Sequence, residues 1–150
     1  MARKKAEPEK QDQSVPDDKR LKVKHMEISD EYMVGLPKMT LQQACQYLKA
    51  HPSDAVIIQE GSKVIGLINT QTIIETIANG KVSSDMTIKE VMSTDFLKVN
   101  DTDALEDILP LMYEKQPKAV LVVDSEGDFI GYFSPSDCKL AMKQMKFLED

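Results

Sequence analysis

The 150 residues are 41% hydrophobic and 29% charged, with a formal charge of −6, an ordinary composition for one compact domain. No apolar run approaches the roughly 20 residues needed to cross a bilayer, and the basic start Met-Ala-Arg-Lys-Lys is followed by polar residues where an export signal needs an apolar stretch. Residues 1–25 hold eight Lys/Arg against five acidic residues, net +3, leaving net −9 for the rest, so the body repels phosphate backbones and nucleic acid is not an expected partner.

Residues 1–25 contain no Phe, Trp or Tyr and read as a disordered polar tail with little to bury. Tyr32-Met33-Val34 is a short extended segment. Leu41, Ala44, Cys45 and Leu48 stand at i, i+3, i+4 and i+7 behind Thr40, the stripe and start signal of an amphipathic helix. After Pro52 comes Ala55-Val56-Ile57-Ile58, an unbroken apolar run expected for a strand covered on both faces. A turn at Glu60-Gly61 leads into a second strand, Val64 to Ile68, and a short helix around Ile73, Ile74 and Ile77 stops at Asn79-Gly80.

The same order then returns. Phe96 to Val99 is extended, and Leu105, Ile108, Leu109 and Met112 repeat the first stripe 64 positions on, behind Thr102-Asp103. Pro110 is expected to bend or weaken that helix. Pro117-Lys118 precede the apolar run Ala119 to Val123; a turn at Asp124 to Gly127 leads to Phe129 to Phe133, and Cys138, Ala141, Met142 and Met145 mark a closing helix. Gly66 and Gly131 hold the same strand position 65 residues apart, where a ligand or the partner repeat is expected to approach the backbone. The unit is β-α-β-β-α, too small to bury much surface alone. The expected fold is therefore α/β (α+β), two pseudo-twofold related repeats, 26–85 and 86–150, packed through their small sheets.

Nothing along the chain assembles a catalytic centre, and the expectation is a protein that is not an enzyme. His25 and His51 lie in the tail and at a helix end with no nucleophile placed to use them. Cys45 and Cys138 lie on apolar stripes without a second ligand at metal spacing, so they read as reduced core thiols and point to the cytoplasm. No phosphate-cradling Gly-rich loop or metal-ligand cluster occurs. One stretch stands apart, Gly131-Tyr132-Phe133-Ser134-Pro135-Ser136-Asp137. It makes a helix cap, with Ser134 as N-cap, Pro135 at the first helical position and Asp137 as the capping-box acid. The same geometry can also make a ligand site, a helix start that attracts phosphate beside a carboxylate that can accept both hydrogen bonds of a ribose diol. Spacing alone leaves both open.

Taken in order, Glu90-Val91-Met92-Ser93-Thr94, Asp103-Ala104-Leu105-Glu106-Asp107, Val122-Val123-Asp124, Gly131 and Ser134-Pro135-Ser136-Asp137 resemble a cystathionine-β-synthase-type (CBS) domain. The first copy resembles the family more weakly, and together they cover about 26–146. The resemblance implies a tandem CBS pair, or Bateman module, that associates into a disc-like homodimer. It implies an adenosine-containing ligand between the repeats, AMP foremost, and no obligatory cofactor. In the family's Gly-x-x-Ser/Thr-x-x-Asp motif, Ser134 would face phosphate and Asp137 the ribose, with Ser136 nearby. The base would lie against Phe96-Leu97 and against Leu67 of the other repeat, Asn69 would stand for that repeat's Ser/Thr, and Lys118 would meet a phosphate. The first copy departs from the motif: Gly66-Leu67-Ile68-Asn69-Thr70-Gln71-Thr72 has Thr72 where the acid belongs, which implies one competent cleft. Lys118, Lys139 and Lys143 are the cations near the surviving motif, favouring AMP or an uncharged adenosine derivative over a triphosphate. The function implied is a regulatory module that senses an adenine nucleotide and signals to an unidentified effector protein by conformational shift. The alternative is a ligand-free dimerisation or docking module.

Overall fold

The computed structural model describes residues 20–149 apart from Lys81, with side chains as far as Met145; the expected disorder of the tail's first 19 residues falls outside the described residues. Two equivalent sets of elements follow one another. The first comprises β1 (Tyr32–Gly35), α1 (Leu41–Ala50), β2 (Ala55–Glu60), β3 (Lys63–Ile68) and α2 (Thr70–Ala78). After a one-turn helix, α3 (Ile88–Val91), come β4 (Phe96–Asn100), α4 (Leu105–Lys115), β5 (Ala119–Val123), β6 (Phe129–Phe133) and α5 (Pro135–Glu149). The sheets are ordered β1-β2-β3 and β4-β5-β6. In each, the first pair is parallel and the second antiparallel.

Strand alternation decides where the repeats meet, because successive side chains leave a strand on opposite faces. Along β2, Val56 and Ile58 point to a core closed by Leu41, Ala44 and Leu48 of α1. Along β5, Val120 and Val122 point to the matching core under Leu105 and Ile108 of α4. The intervening residues, Ala55 and Ile57 with Ala119 and Leu121, meet Val64, Leu67 and Tyr132 in a third cluster shared by both sheets. Tyr32 packs edge-on against Phe129 and Tyr132 there, ring centroids 5.2 and 6.5 Å apart. These unbroken apolar runs are thus buried on both faces.

The segments leading into β1 and β4 are exchanged. The 3-10 turn Val23–His25 belongs to the second repeat's core: Val23 is fully buried beside Val99, Leu105 and Phe133. The Val23 N–H donates to Asp103 O, and Leu105 N–H to Leu21 O. In mirror fashion α3 packs on the first repeat, where Leu41 N–H donates to Met86 O and Ile88 N–H to Met39 O. This corrects two expected boundaries. Residues 20–25 are structured rather than part of the tail, and residues 26–28 serve the second repeat, not the first; Leu21, Val23, Met26 and Ile28 bury apolar surface that the surrounding lysines conceal.

Helix starts follow the sequence at α1 and depart from it at α4. Thr40 caps α1 in a box with Gln43, bonds of 3.0 and 3.1 Å. The expected cap of α4 is displaced: its N-cap is Ala104, which offers no side-chain bond, while Asp103 accepts from Asn100 N–H. Helix α4 runs through Pro110 from Leu105 to Lys115 and ends on Gln116, φ +46°. Cys45 and Cys138 are free and half-buried, and burial raises both thiol pKa values. Among the described residues no helix is long and apolar enough to cross a membrane.

Candidate functional site

Strand β6 delivers Ser134 to the start of α5, where it is buried together with Asp137. The Ser134 N–H donates to Asp137 Oδ2 at 3.1 Å, and the Asp137 N–H donates to Ser134 Oγ at 3.0 Å. This is the reciprocal capping box that the spacing predicts. The first repeat builds the same box from different chemistry: Asn69 N–H donates to Thr72 Oγ1 and Thr72 N–H to Asn69 Oδ1, both at 2.9 Å. The Thr72 hydroxyl itself donates to Asn69 O at 2.8 Å. Thr72 therefore preserves the cap and removes the carboxylate.

Each motif is faced by the segment leading into the other repeat. Tyr132 N–H donates to Ile28 O at 2.8 Å, and a Cβ on Gly131 would stand 2.6 Å from that same oxygen. The glycine is thus required by the approach of backbone, as its place within a strand predicts. On the opposite side Leu67 and Ser93 exchange two backbone bonds, 3.0 and 2.9 Å, and Gly66 gives room to Met92 and Ser93. The structure hence separates the candidate residues. Asp137, bonded to Ser134, comes together with Asp30 and Glu31, and Ser136 is exposed. Leu67 and Phe96 pack into the apolar cluster shared by the two sheets, Asn69 caps α2, and Leu97 turns into the second repeat's core. Lys118 donates to Glu75 Oε2 of α2 at 3.1 Å and its N–H to Asp95 O at 3.0 Å, so its ammonium faces the Asn69–Thr72 helix rather than α5. Lys139 and Lys143 are exposed on α5.

Sequence reasoning missed the partners that Asp137 does have. Carboxylate oxygens of Asp30, Glu31 and Asp137 lie within 4.8 Å of one another. Glu31 sits at φ +67°, uncommon for a residue with a side chain, and its Oε1 is buried without a hydrogen-bond partner. Burial pushes the Asp137 carboxyl above the usual carboxylate range; the Ser134 bonds oppose this, and Glu31 and Asp30 add to it. Asp30 is raised by burial, then by Glu31 and Glu27. Burial lifts Tyr132 to about 12, with Glu31, Asp54 and Asp137 contributing. Asp54 accepts from the Tyr47 hydroxyl at 2.6 Å. The strand register matches Tyr32 to Phe96, opposite Ala55 and Ala119, so Glu31 stands where the second repeat has Asp95.

The arrangement offers a buried carboxylate acceptor, Asp137, close to two further carboxylates, and a second helix start that faces a lysine but has no such acceptor. Carboxylates this close favour a proton or a positive charge among them. Comparison with known proteins gives this geometry a context. The sequence pattern of the CBS domain family matches residues 88–144. The CBS domain-containing protein YhcV of Bacillus subtilis is 30% identical over 110 residues, 73% of this chain and 76% of that one. An uncharacterized protein of Methanocaldococcus jannaschii, MJ1404, is 25% identical over 97 residues, 65% of this chain; the chain spans 23% of that relative's length. The crystal structure of CBSX2 in complex with AMP shares the fold, with a TM-score of 0.68 and 19% identity over 84% of this chain and 98% of that one.

Proposed function

Since the chain belongs to the CBS-domain family, in which it forms a pair of repeats, we propose that it is a regulatory ligand sensor. It takes an adenosine-containing small molecule in the cleft between its repeats and signals to a partner protein. The observation that carries this reading is Asp137, a buried carboxylate at the start of α5 whose Oδ2 meets the Ser134 N–H and which faces the lead-in of the other repeat. A carboxylate so placed accepts a ribose diol with both oxygens. The AMP complex of CBSX2, a protein of the same fold, supports adenosine as the ligand and makes AMP the first compound to test. Because each lead-in is shared between repeats, a ligand touching both stabilises one mutual arrangement, and a partner that reads that arrangement receives the signal.

The module acts as a homodimer in the cytoplasm. Exposed apolar residues on the helices of both repeats, Ile74 and Ile77 of α2 with Leu140 and Met142 of α5, support the association. The free thiols support a reducing compartment. A second reading, a docking module without a ligand, is favoured by one specific feature: the capping boxes of α2 and α5 are complete as they stand.

Asp137→Asn separates the two, because an amide oxygen still caps the helix but lacks the charge and the second acceptor. A thermal-shift panel of AMP, ADP, ATP, S-adenosylmethionine, NAD, cyclic di-AMP and GTP is the measurement. A ligand at 100 times its Kd adds about 2.7 kcal/mol, several degrees for a chain of this size. A shift with an adenine compound in the native chain, lost in Asp137→Asn at unchanged intrinsic stability, is the expected result. A flat panel on folded protein leaves the docking module.

A further inference from the structure

We infer that the Ser134–Asp137 cleft selects an adenosine compound bearing no phosphate next to its ribose, one that is neutral or positively charged at that end. This rests on the reading that the cleft takes adenosine, and it adds the chemical class of the ligand.

A nucleotide needs an acceptor for its ribose hydroxyls and a counter-charge for its phosphate. Among the described residues the acceptor Asp137 stands at the start of α5, and the lysine that reaches a motif helix, Lys118, faces α2. Beside Asp137 stand Asp30 and Glu31, and Asp54 adds negative charge felt by Asp30 and Tyr132. Ion pairs among the described residues lie elsewhere, joining Arg20 to Glu106 and Asp107, Lys63 to Asp128, Lys89 to Glu60 and Lys118 to Glu75. A phosphate entering this cleft meets like charge at close range, where the repulsion is least screened.

The helix start does little to offset that repulsion. Helix N-termini bind anions through unpaired N–H groups. Here Pro135 supplies none, the Asp137 N–H is taken by Ser134 Oγ and the Cys138 N–H by Ser134 O, so the Ser136 N–H alone of the first turn is left to meet an anion. Glu31 Oε1, buried and without a donor, would gain a partner from an ammonium, sulfonium or hydroxyl group but none from a bare phosphate. The lysine suited to phosphate lies across the other cleft, already held by Glu75, over a motif whose acid has become Thr72.

Three compounds with one base and one ribose test this: adenosine, AMP and 5′-amino-5′-deoxyadenosine, titrated calorimetrically into the full chain in EDTA. The expected order of affinity is amine, then hydroxyl, then phosphate, with AMP about tenfold or more weaker than adenosine. AMP binding more tightly than adenosine overturns the inference and leaves the sensor reading standing. If none of the three binds to folded protein, the sensor reading falls and the inference with it. Glu31→Gln should narrow the gap between adenosine and AMP several-fold, and an unchanged gap places the discrimination outside the cluster and also overturns it. Should that variant fail to fold, the exposed Asp30→Asn is read in the same way.

Discussion

The two repeats close their last helices with the same pair of hydrogen bonds and prepare their clefts for different work. Asn69 with Thr72 and Ser134 with Asp137 each satisfy two backbone N–H groups across three residues. A cap asks only for acceptors at the right distance, so an amide and a hydroxyl replace a hydroxyl and a carboxylate without loss. A diol asks for two charged acceptors on one group, and only Asp137 provides them. The surroundings diverge in the opposite sense. Lys118 overlies the repeat that has lost its acid, and three further carboxylates gather around the repeat that has kept it. Duplication has thus preserved the frame while placing the buried acid and the lysine at different helix starts.

The glycines put the largest effect on this comparison. Gly131→Ala drives a methyl into the backbone oxygen of Ile28, 2.6 Å from the new Cβ, and should destabilise the chain by about 2–4 kcal/mol in urea unfolding. Gly66→Ala meets the flexible Met92 side chain first, with Ser93 O at 3.0 Å, and should cost clearly less. Equal losses would mean that the two lead-ins are held alike.

Thr72→Asp restores the missing acid beneath Lys118. Titration with AMP should then report one binding event per chain in addition to those of the parent, and this new site, unlike the Asp137 cleft, should prefer AMP to adenosine. An unchanged stoichiometry would show that the first cleft is closed by more than the loss of its carboxylate. The smallest effect concerns the helix starts: Thr40→Ala removes the acceptor that serves Gln43 N–H and should cost about 1 kcal/mol, whereas Ala104→Thr should gain up to that amount at α4. Denaturant midpoints at constant slope measure both.

The unbroken apolar runs Ala55 to Ile58 and Ala119 to Val123 made the sheets and their two-sided burial legible in the sequence, and the Ser134-Pro135-Ser136-Asp137 run made the α5 cap legible as well. Local patterns carry these features. The grouping of the cleft residues was not legible, because it depends on which lead-in crosses to which motif. That pairing joins Ile28 to Tyr132 and Ser93 to Leu67, and no local periodicity encodes it. Leu21 and Val23 do alternate with Lys22 and Lys24, a strand-like signal, but eight basic residues in the first 25 outweighed it. Lys118, expected to meet a phosphate near the surviving motif, takes the other direction, toward Glu75.

The crossed lead-ins also set an order of events in time. Leu21 and Val23 are among the earlier described residues to be made, yet their bonding partners are Leu105 and Asp103, some 80 positions later in synthesis. The first repeat likewise waits for Met86 and Ile88 to close α1. Such long-range closures raise contact order and slow the search. The first repeat therefore cannot close α1 on the ribosome before residues 86–88 have emerged, and Leu21 and Val23 find no place before residues 103–105 have. Until then Val23 and the apolar strands stay accessible, a window in which a chaperone, or the same segment of a neighbouring chain, competes for the vacant place.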